Sequence, residues 1–180
     1  MQCYVAVGSN IEPETHIPAA LSALHDAPGT RLTGVSTFYR TLPVGAPGTP
    51  EFYNGVVSVR TSLSAPELTA LLGEVEERGG RRPSTDRHAP RTIDLDLLVY
   101  GDQESRLPGM ILPHPDIPLR SFVALPLMEL APDLVLPGPA GPLANWAAAF
   151  EGLPGEPLPD FSAALRRLAE AAGQEPDQPG

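Results

Sequence analysis

Two carboxylates stand inside a run that otherwise reads as a buried strand: Asp94 and Asp96 in PRTIDLDLLVYG, residues 90–101. Side chains alternate along a strand, so Asp94 and Asp96 share a face with Leu98 and Tyr100, while Ile93, Leu95, Leu97 and Val99 face the other way. The carboxylates then lie roughly 7 Å apart along the strand. At an effective dielectric of ~20 they repel by about 2 kcal/mol, before desolvation adds to it. Something positive is required beside them, either arginine side chains or metal ions. With no Cys nearby and no His in the strand, hard oxygen donors suit Mg²⁺ rather than zinc or copper. A carboxylate pair can also bridge two metals ~4 Å apart, as in phosphoryl-transfer sites. The plain alternative is an exposed strand end with solvated or arginine-paired aspartates.

Immediately upstream, RGGRRPSTDRHAPR holds Arg78, Arg81, Arg82, Arg87 and Arg91, five of the twelve basic residues of a chain with net charge -10. Like charges gathered in one loop repel unless they meet an anion, and the guanidinium fork matches phosphate oxygens bidentately. A solvated basic loop would explain the arginines alone. Arginines next to an aspartate pair are what a nucleotide with Mg²⁺ requires. No GxxxxGK[ST] loop is present, and the glycine loop, HRD and DFG signatures of protein kinases are missing too.

These groups need elements to position them. CYVAV reads as a strand ending at the turn cluster GSN, and a helix follows from about Glu14 to Asp26, with Ile17, Ala20, Leu21 and Leu24 at helical spacing. RLTGVSTFYR is a second strand, LPVGAPGTPE a loop, and FYNGVVSVRT a third strand. SAPELTALLGEVEERGG is a helix with Ser64 as N-cap, Pro66 and Glu67 in the first turn, and Gly79 and Gly80 at its end. The order β-α-β-β-α-β predicts an α+β, ferredoxin-like antiparallel sheet with two helices on one face. Beyond the aspartates, LPGMILPHPDIPLR is extended and Pro-rich, and SFVALPLMELAP is helical, with Pro126 kinking it or confining it to short pieces. Residues 1–150 form the expected domain; 151–180 hold a Pro-rich linker, one short amphipathic helix and a disordered tail.

Composition excludes other chemistries. Every basic residue is arginine, so neither a Schiff-base lysine nor a Walker A lysine exists. The acidic balance argues against binding nucleic acid or an anionic membrane. The lone Cys3 makes no internal disulfide and is expected to be a buried small hydrophobe. No basic n-region opens the chain and no segment reaches ~18 apolar residues, which predicts a soluble cytoplasmic protein. Without heptads or a spare apolar stripe, a monomer is the default.

The combination of VGSN, STFYRTLPVG, FYNGVV, PRTIDLDLLVYG and LPHPDIPLRSFVALPLMEL, in that order over roughly residues 3 to 135, resembles the 6-hydroxymethyl-7,8-dihydropterin pyrophosphokinases of folate biosynthesis. The resemblance implies a ferredoxin-like fold and transfer of the β,γ-pyrophosphoryl group of ATP to the pterin hydroxymethyl group, leaving AMP, with two Mg²⁺ ions. By motif, Asp94 and Asp96 would hold both metals. Arg91, His114 and Arg120 would contact the triphosphate, with Arg81 and Arg87 on a closing loop; Arg81 and Arg91 would act in catalysis beside the aspartates. Glu76 would lie near the nucleotide, although by itself it could be an exposed helix charge like Glu74 and Glu77. Leu97 and Leu98 would lie near the adenine or in the core, and residue type alone favours the core. The pterin would stack between Phe52 and Phe122, with Asn54 reading its edge and Thr41, Leu42 and Val44 supplying backbone and rim contacts. On residue type alone both phenylalanines would be core.

Some positions depart from the family pattern. GRRP stands where Gly-Arg-x-Arg is common, so Arg82 substitutes for the second arginine or Pro83 stiffens the loop. His88 replaces a frequent tryptophan and Phe52 a frequent tyrosine. Gly109 replaces a usual basic residue, leaving Arg106 as the nearest cation. Two rival readings remain open at this point, a non-catalytic nucleotide-binding domain and a metal-dependent phosphohydrolase. Neither accounts for Phe52, Asn54 and Phe122 together.

Overall fold

A computed structural model describes residues 1–43, 48, 50–81 and 90–171. Val44, the loop positions Arg82, Pro83, Arg87 and His88, and the tail from residue 172 lie outside them. The elements in chain order are β1 (Gln2–Ser9), α1 (Pro13–Asp26), β2 (Thr30–Val35), β3 (Tyr39–Thr41), β4 (Phe52–Thr61), α2 (Ala65–Arg78) and β5 (Asp94–Tyr100). Then follow β6 (Ser105–Leu107), β7 (Met110–Leu112), α3 (Ser121–Leu130), β8 (Val135–Leu136), β9 (Gly141–Pro142), α4 (Leu143–Ala147), β10 (Glu156–Pro157) and α5 (Pro159–Ala171).

The main sheet is antiparallel at every pairing and runs β10-β3-β4-β1-β5, with β2 also pairing on β4. Two cores flank it. On one face Val5, Val7, Val57 and Val59 pack against Ile17, Leu21 and Leu24 of α1, Leu68 and Leu72 of α2, and Leu165 of α5. On the other, Val56 and Leu98 pack against Val123 and Leu127 of α3 and Leu143 of α4. The sequence pattern anticipates helices on one face; here both are covered, so the central strands are apolar almost throughout.

The ends of α2 follow local rules. The Ser64 side chain accepts from the Glu67 backbone N–H, and the Glu67 carboxylate accepts from the Ser64 N–H at 2.8 Å, a complete capping box. Helix α3 runs unbroken through Pro126, whose side chain is buried, instead of splitting there.

Two strands differ from the sequence reading. RLTGVSTFYR becomes β2 and β3, separated at Ser36–Phe38. At this junction the backbone turns to other partners: Thr37 N–H donates to the Glu129 carboxylate of α3, and Phe38 N–H donates to Ser162 Oγ of α5 at 2.8 Å. In β5 the register against β1 slips, because Tyr4 pairs with Val99 and Val5 with Leu97. Leu98 is thus an extra residue, a bulge that reverses the alternation after it. Tyr100 therefore joins the core beneath α1 and α2, and Val99 the core beneath α3, the reverse of simple alternation. Asp94, Asp96 and Leu98 keep the common face that alternation assigns them.

Candidate active site

The face of the sheet toward α3 carries two cross-strand rows. Asn54 of β4, Gly8 of β1 and Asp94 of β5 are register partners, and Val56, Ala6 and Asp96 form the next row. The centre of each row is Gly or Ala, so the floor is hollow where most strands would present a branched side chain. Above it lies a cleft of about 480 Å³. Phe52, Asn54, Thr41 and Leu42 line one side and Phe122 and Val123 of α3 the roof. Arg91, Arg120, Asp116, Asp94 and Asp96 close the polar end.

Asn54 is held in place. Its Nδ2 donates to Thr41 Oγ1 at 2.7 Å, and its Oδ1 lies so near Gly8 that a Cβ there would come within 2.7 Å. The amide thus depends on a residue without a side chain. Asn10, just past β1, accepts the Arg91 N–H at 2.7 Å on Oδ1 and donates its own backbone N–H to the Arg91 carbonyl. Its Nδ2 also reaches the Pro50 carbonyl, at 3.3 Å. One buried asparagine therefore ties the segment before β5 to the loop before β4. Local pattern marks GSN as a turn and assigns Asn10 no role; the signal it carries is a side-chain amide able to satisfy two backbone groups at once, the Arg91 N–H and the Pro50 carbonyl.

A second cleft, of about 400 Å³, opens on the other side of Asp96. Leu72, Gly73 and Leu97 give it an apolar wall, Met110 and Ile111 of β7 the facing one, and Glu76, Arg81 and His114 its polar end. Thr69, Leu72, Gly73, Met110 and Ile111 carry no chemical signature in the sequence. Leu97 is both core and lining, nearly buried yet part of this wall. His114 is oriented by its own turn: its backbone N–H donates to the Leu98 carbonyl at 2.8 Å, and its Nδ1 accepts the Asp116 N–H at 3.2 Å. Nε2 is left as the nitrogen that can serve the cleft.

Asp96 lines both clefts. Its carboxyl opens to solvent where they meet, but protein crowds it on the remaining sides. That desolvation, with repulsion from Asp94, pushes it above the usual carboxylate range, against the pull of His114, Arg81 and Arg91. Asp94 is paired with both Arg91 and Arg81, the latter at 2.9 Å. Glu76 is a buried link rather than an exposed helix charge: Oε1 accepts the Leu95 N–H at 2.7 Å and pairs with Arg81. Burial raises its pKa, partly offset by the Leu95 N–H and the Arg81 charge. It fastens α2 to β5 beside the aspartates.

Sequence-expected residues thus fall into two groups that meet at Asp96. Thr41, Leu42, Phe52, Asn54, Phe122, Arg91, Arg120 and Asp94 line the first cleft, and Glu76, Arg81, Leu97 and His114 the second. Val44 and Arg87 lie outside the described residues. Among the described residues no three His, Cys, Asp or Glu side chains gather to hold a metal by themselves, and no helix is long and apolar enough to cross a membrane.

Residues 4–132 match the family described as 7,8-dihydro-6-hydroxymethylpterin-pyrophosphokinase. A 2-amino-4-hydroxy-6-hydroxymethyldihydropteridine pyrophosphokinase of Pseudomonas aeruginosa is 44% identical over 152 residues, covering 83% of this chain and 93% of that protein. A protein of the same name from Haemophilus influenzae is 38% identical, over 74% of this chain and 84% of its own. The folic acid synthesis protein fol1 of Schizosaccharomyces pombe is 36% identical over 88% of this chain but only 21% of its own length. Together with two clefts joined at an aspartate, these matches show that the chain belongs to the 7,8-dihydro-6-hydroxymethylpterin-pyrophosphokinase family.

Proposed function

We propose that this chain transfers the β,γ-pyrophosphoryl group of ATP to the hydroxymethyl group of 6-hydroxymethyl-7,8-dihydropterin, giving the pterin diphosphate and AMP. In the same reading it acts as a cytoplasmic monomer on a ferredoxin-like frame, with residues 1–150 carrying the site. The observation that carries it is the meeting of two clefts of different chemistry at Asp96. One has an amide floor and aromatic walls suited to a flat, hydrogen-bonding ring. The other has an apolar slot ending in Arg81 and His114, suited to a nucleotide.

The pterin would lie between Phe52 and Phe122 with Asn54 at its edge and Thr41 and Leu42 at its rim. ATP would enter the second cleft along Leu97, with Arg81, Arg91, His114 and Arg120 toward its phosphates. The pterin hydroxyl oxygen bonds to the β-phosphorus as the α,β-bridging P–O bond breaks; AMP departs and the hydroxyl proton passes to solvent. No side-chain nucleophile is needed, since positioning and charge stabilisation carry phosphoryl transfer. The donor set fits Mg²⁺: Asp94 and Asp96 offer hard oxygens, and this ion commonly takes one or two carboxylates and completes its shell with phosphate and water. Bound there, two Mg²⁺ would neutralise the aspartates and the phosphoryl charge that builds in the transition state.

The test mixes purified protein with ATP, Mg²⁺ and the pterin and resolves nucleotides by chromatography. Pterin-dependent AMP, in step with pterin diphosphate, supports the reading. ADP, or turnover that ignores the pterin, would replace it with a hydrolase or another kinase.

A second expected outcome concerns the floor. Gly8→Ala puts a methyl group against Asn54 Oδ1, and since that atom is the end of a side chain that can turn away by giving up its bond to Thr41, the protein should fold with little loss of stability. The amide must swing, and the pterin KM should rise by about tenfold or more with the ATP KM little changed. Steady-state kinetics with each substrate varied would read this; an unchanged pterin KM would remove Asn54 from the pterin edge.

A further inference from the structure

The family match ends at residue 132, yet the segment from Gly155 to Ser162 lies along the strand that carries Thr41. Strand β3 has three residues, and β4 pairs with only one of its edges. Its other edge is taken by β10, where Glu156 pairs with Arg40 and Pro157 with Tyr39. Just before β3, both backbone groups of Phe38 are claimed by the same segment: its N–H donates to Ser162 Oγ at 2.8 Å, and its carbonyl accepts the Leu158 N–H at 2.9 Å. Ser162 is fully buried, and its hydroxyl donates onward to the Leu158 carbonyl at 2.6 Å. Phe161 meets the rings of Phe38 and Tyr53 edge-on, with centroids 5.7 and 5.4 Å away. A side chain at Gly155 would run into the Arg40 carbonyl and the Thr41 side chain, so the two backbones are in direct contact.

We infer that the C-terminal segment Gly155–Ser162 is a positioning element for the pterin pocket: by pairing with β3 it fixes Thr41, and through the Thr41–Asn54 hydrogen bond it fixes the amide at the cleft floor. This inference rests on the proposed use of that cleft by the pterin. A three-residue strand with one free edge holds its register poorly, because its unpaired groups exchange with water and the turn before it is unanchored. The nucleotide cleft shares no wall with β3, β10 or α5, and of the side chains placed toward the phosphates Arg120 alone lines a groove together with Gly155 and Glu156. The segment should therefore act on one substrate and not on the other.

Gly155→Val tests this directly, since from a position that lines neither cleft it wedges the two backbones apart by pressing on Arg40 and Thr41; Ser162→Ala releases the Phe38 N–H instead and leaves Thr41 untouched. Leu24→Ala, a fully buried position on α1 that lines neither cleft, controls for lost stability. Each protein is titrated with the pterin in a direct binding assay and then assayed with each substrate varied. The expected result is a pterin Kd and KM raised by about tenfold in Gly155→Val, a smaller rise in Ser162→Ala, and an ATP KM within about twofold of wild type in both. Amide exchange at residues 39–41 should quicken in the same two variants. Leu24→Ala should melt earlier with both KM values kept. Wild-type pterin affinity in Gly155→Val, or equal weakening of both substrates, overturns the inference. Wild-type protein that binds pterin without forming AMP would instead sink the transfer reading and leave the brace to be judged on Kd; no pterin binding by the wild type would sink both.

Discussion

Asp96→Asn should lower kcat/KM for pterin-dependent AMP formation by roughly 10³-fold, equivalent to about 4 kcal/mol of transition-state stabilisation, while making the metal-free protein harder to melt at neutral pH. The two effects share one cause. Asp96 sits where both clefts meet, with Asp94 on the same face of β5 and protein crowding it on other sides. Its raised pKa means that the folded state favours its neutral form. A carboxyl of that kind contributes full stability below its unfolded pKa and loses it as pH rises through the folded value. The wild type is therefore penalised above that range, whereas the amide is not. Thermal melts between pH 4 and 8 without divalent ions should show Asp96→Asn ahead at the upper end and the two proteins converging at the lower. Added Mg²⁺ and ATP should reverse the order by stabilising the wild type alone. Equal activity in variant and wild type would remove Asp96 from the reaction. A variant less stable at every pH would mean that its carboxylate is structural.

The largest expected loss of stability belongs to Phe38→Ala, about 3–5 kcal/mol. Phe38 is fully buried, its ring lies against Gly55 so closely that a Cβ there would come within 2.6 Å, and Phe161 covers its edge. Neighbours on β4 and α5 face the void that would be left, and a close-packed sheet cannot collapse into it. Against a net stability of the usual 5–15 kcal/mol, the melting temperature should drop by roughly 10 °C. Phe38→Leu, which keeps most of the volume, should recover more than half of it. A loss below about 1 kcal/mol by denaturant titration would show that the junction between β2 and β3 is loosely packed, which the hydrogen bonds of Phe38 to Ser162 and Leu158 argue against.

Much of the candidate site is legible in residue types alone. Two aspartates in an apolar strand demanded a cation, and the arginines beside them an anion. The capping residues of α2 and the alternation through Leu97 depend only on neighbours within a turn or a pleat, which is why they read correctly. The misreadings have a common origin. Nothing local marks Leu98 as a bulge; β1 sets it through the register slip at Tyr4 and Val5, and Val99 and Tyr100 exchange faces as a result. Likewise RLTGVSTFYR has the propensity of one strand, but Glu129 and Ser162, some ninety and more than a hundred residues on, take its backbone N–H groups at Thr37 and Phe38.

Residue types and local spacing are enough to expect that the Asp94/Asp96 pair needs a cation, to place the ends of α2, and to nominate Phe52, Asn54 and Phe122 for a flat ring; they do not announce α4 or the unbroken course of α3. How these groups meet depends on strand pairing and packing. Gly8 and Ala6 become a hollow floor because β4 and β5 pair on either side of β1, and Asp96 becomes a junction because two clefts open on its two sides. Asn10 and the Gly155–Ser162 segment gain their roles from partners far away in the chain. Such contacts depend on pairing register and packing over long separations, and no window of neighbouring residues contains them.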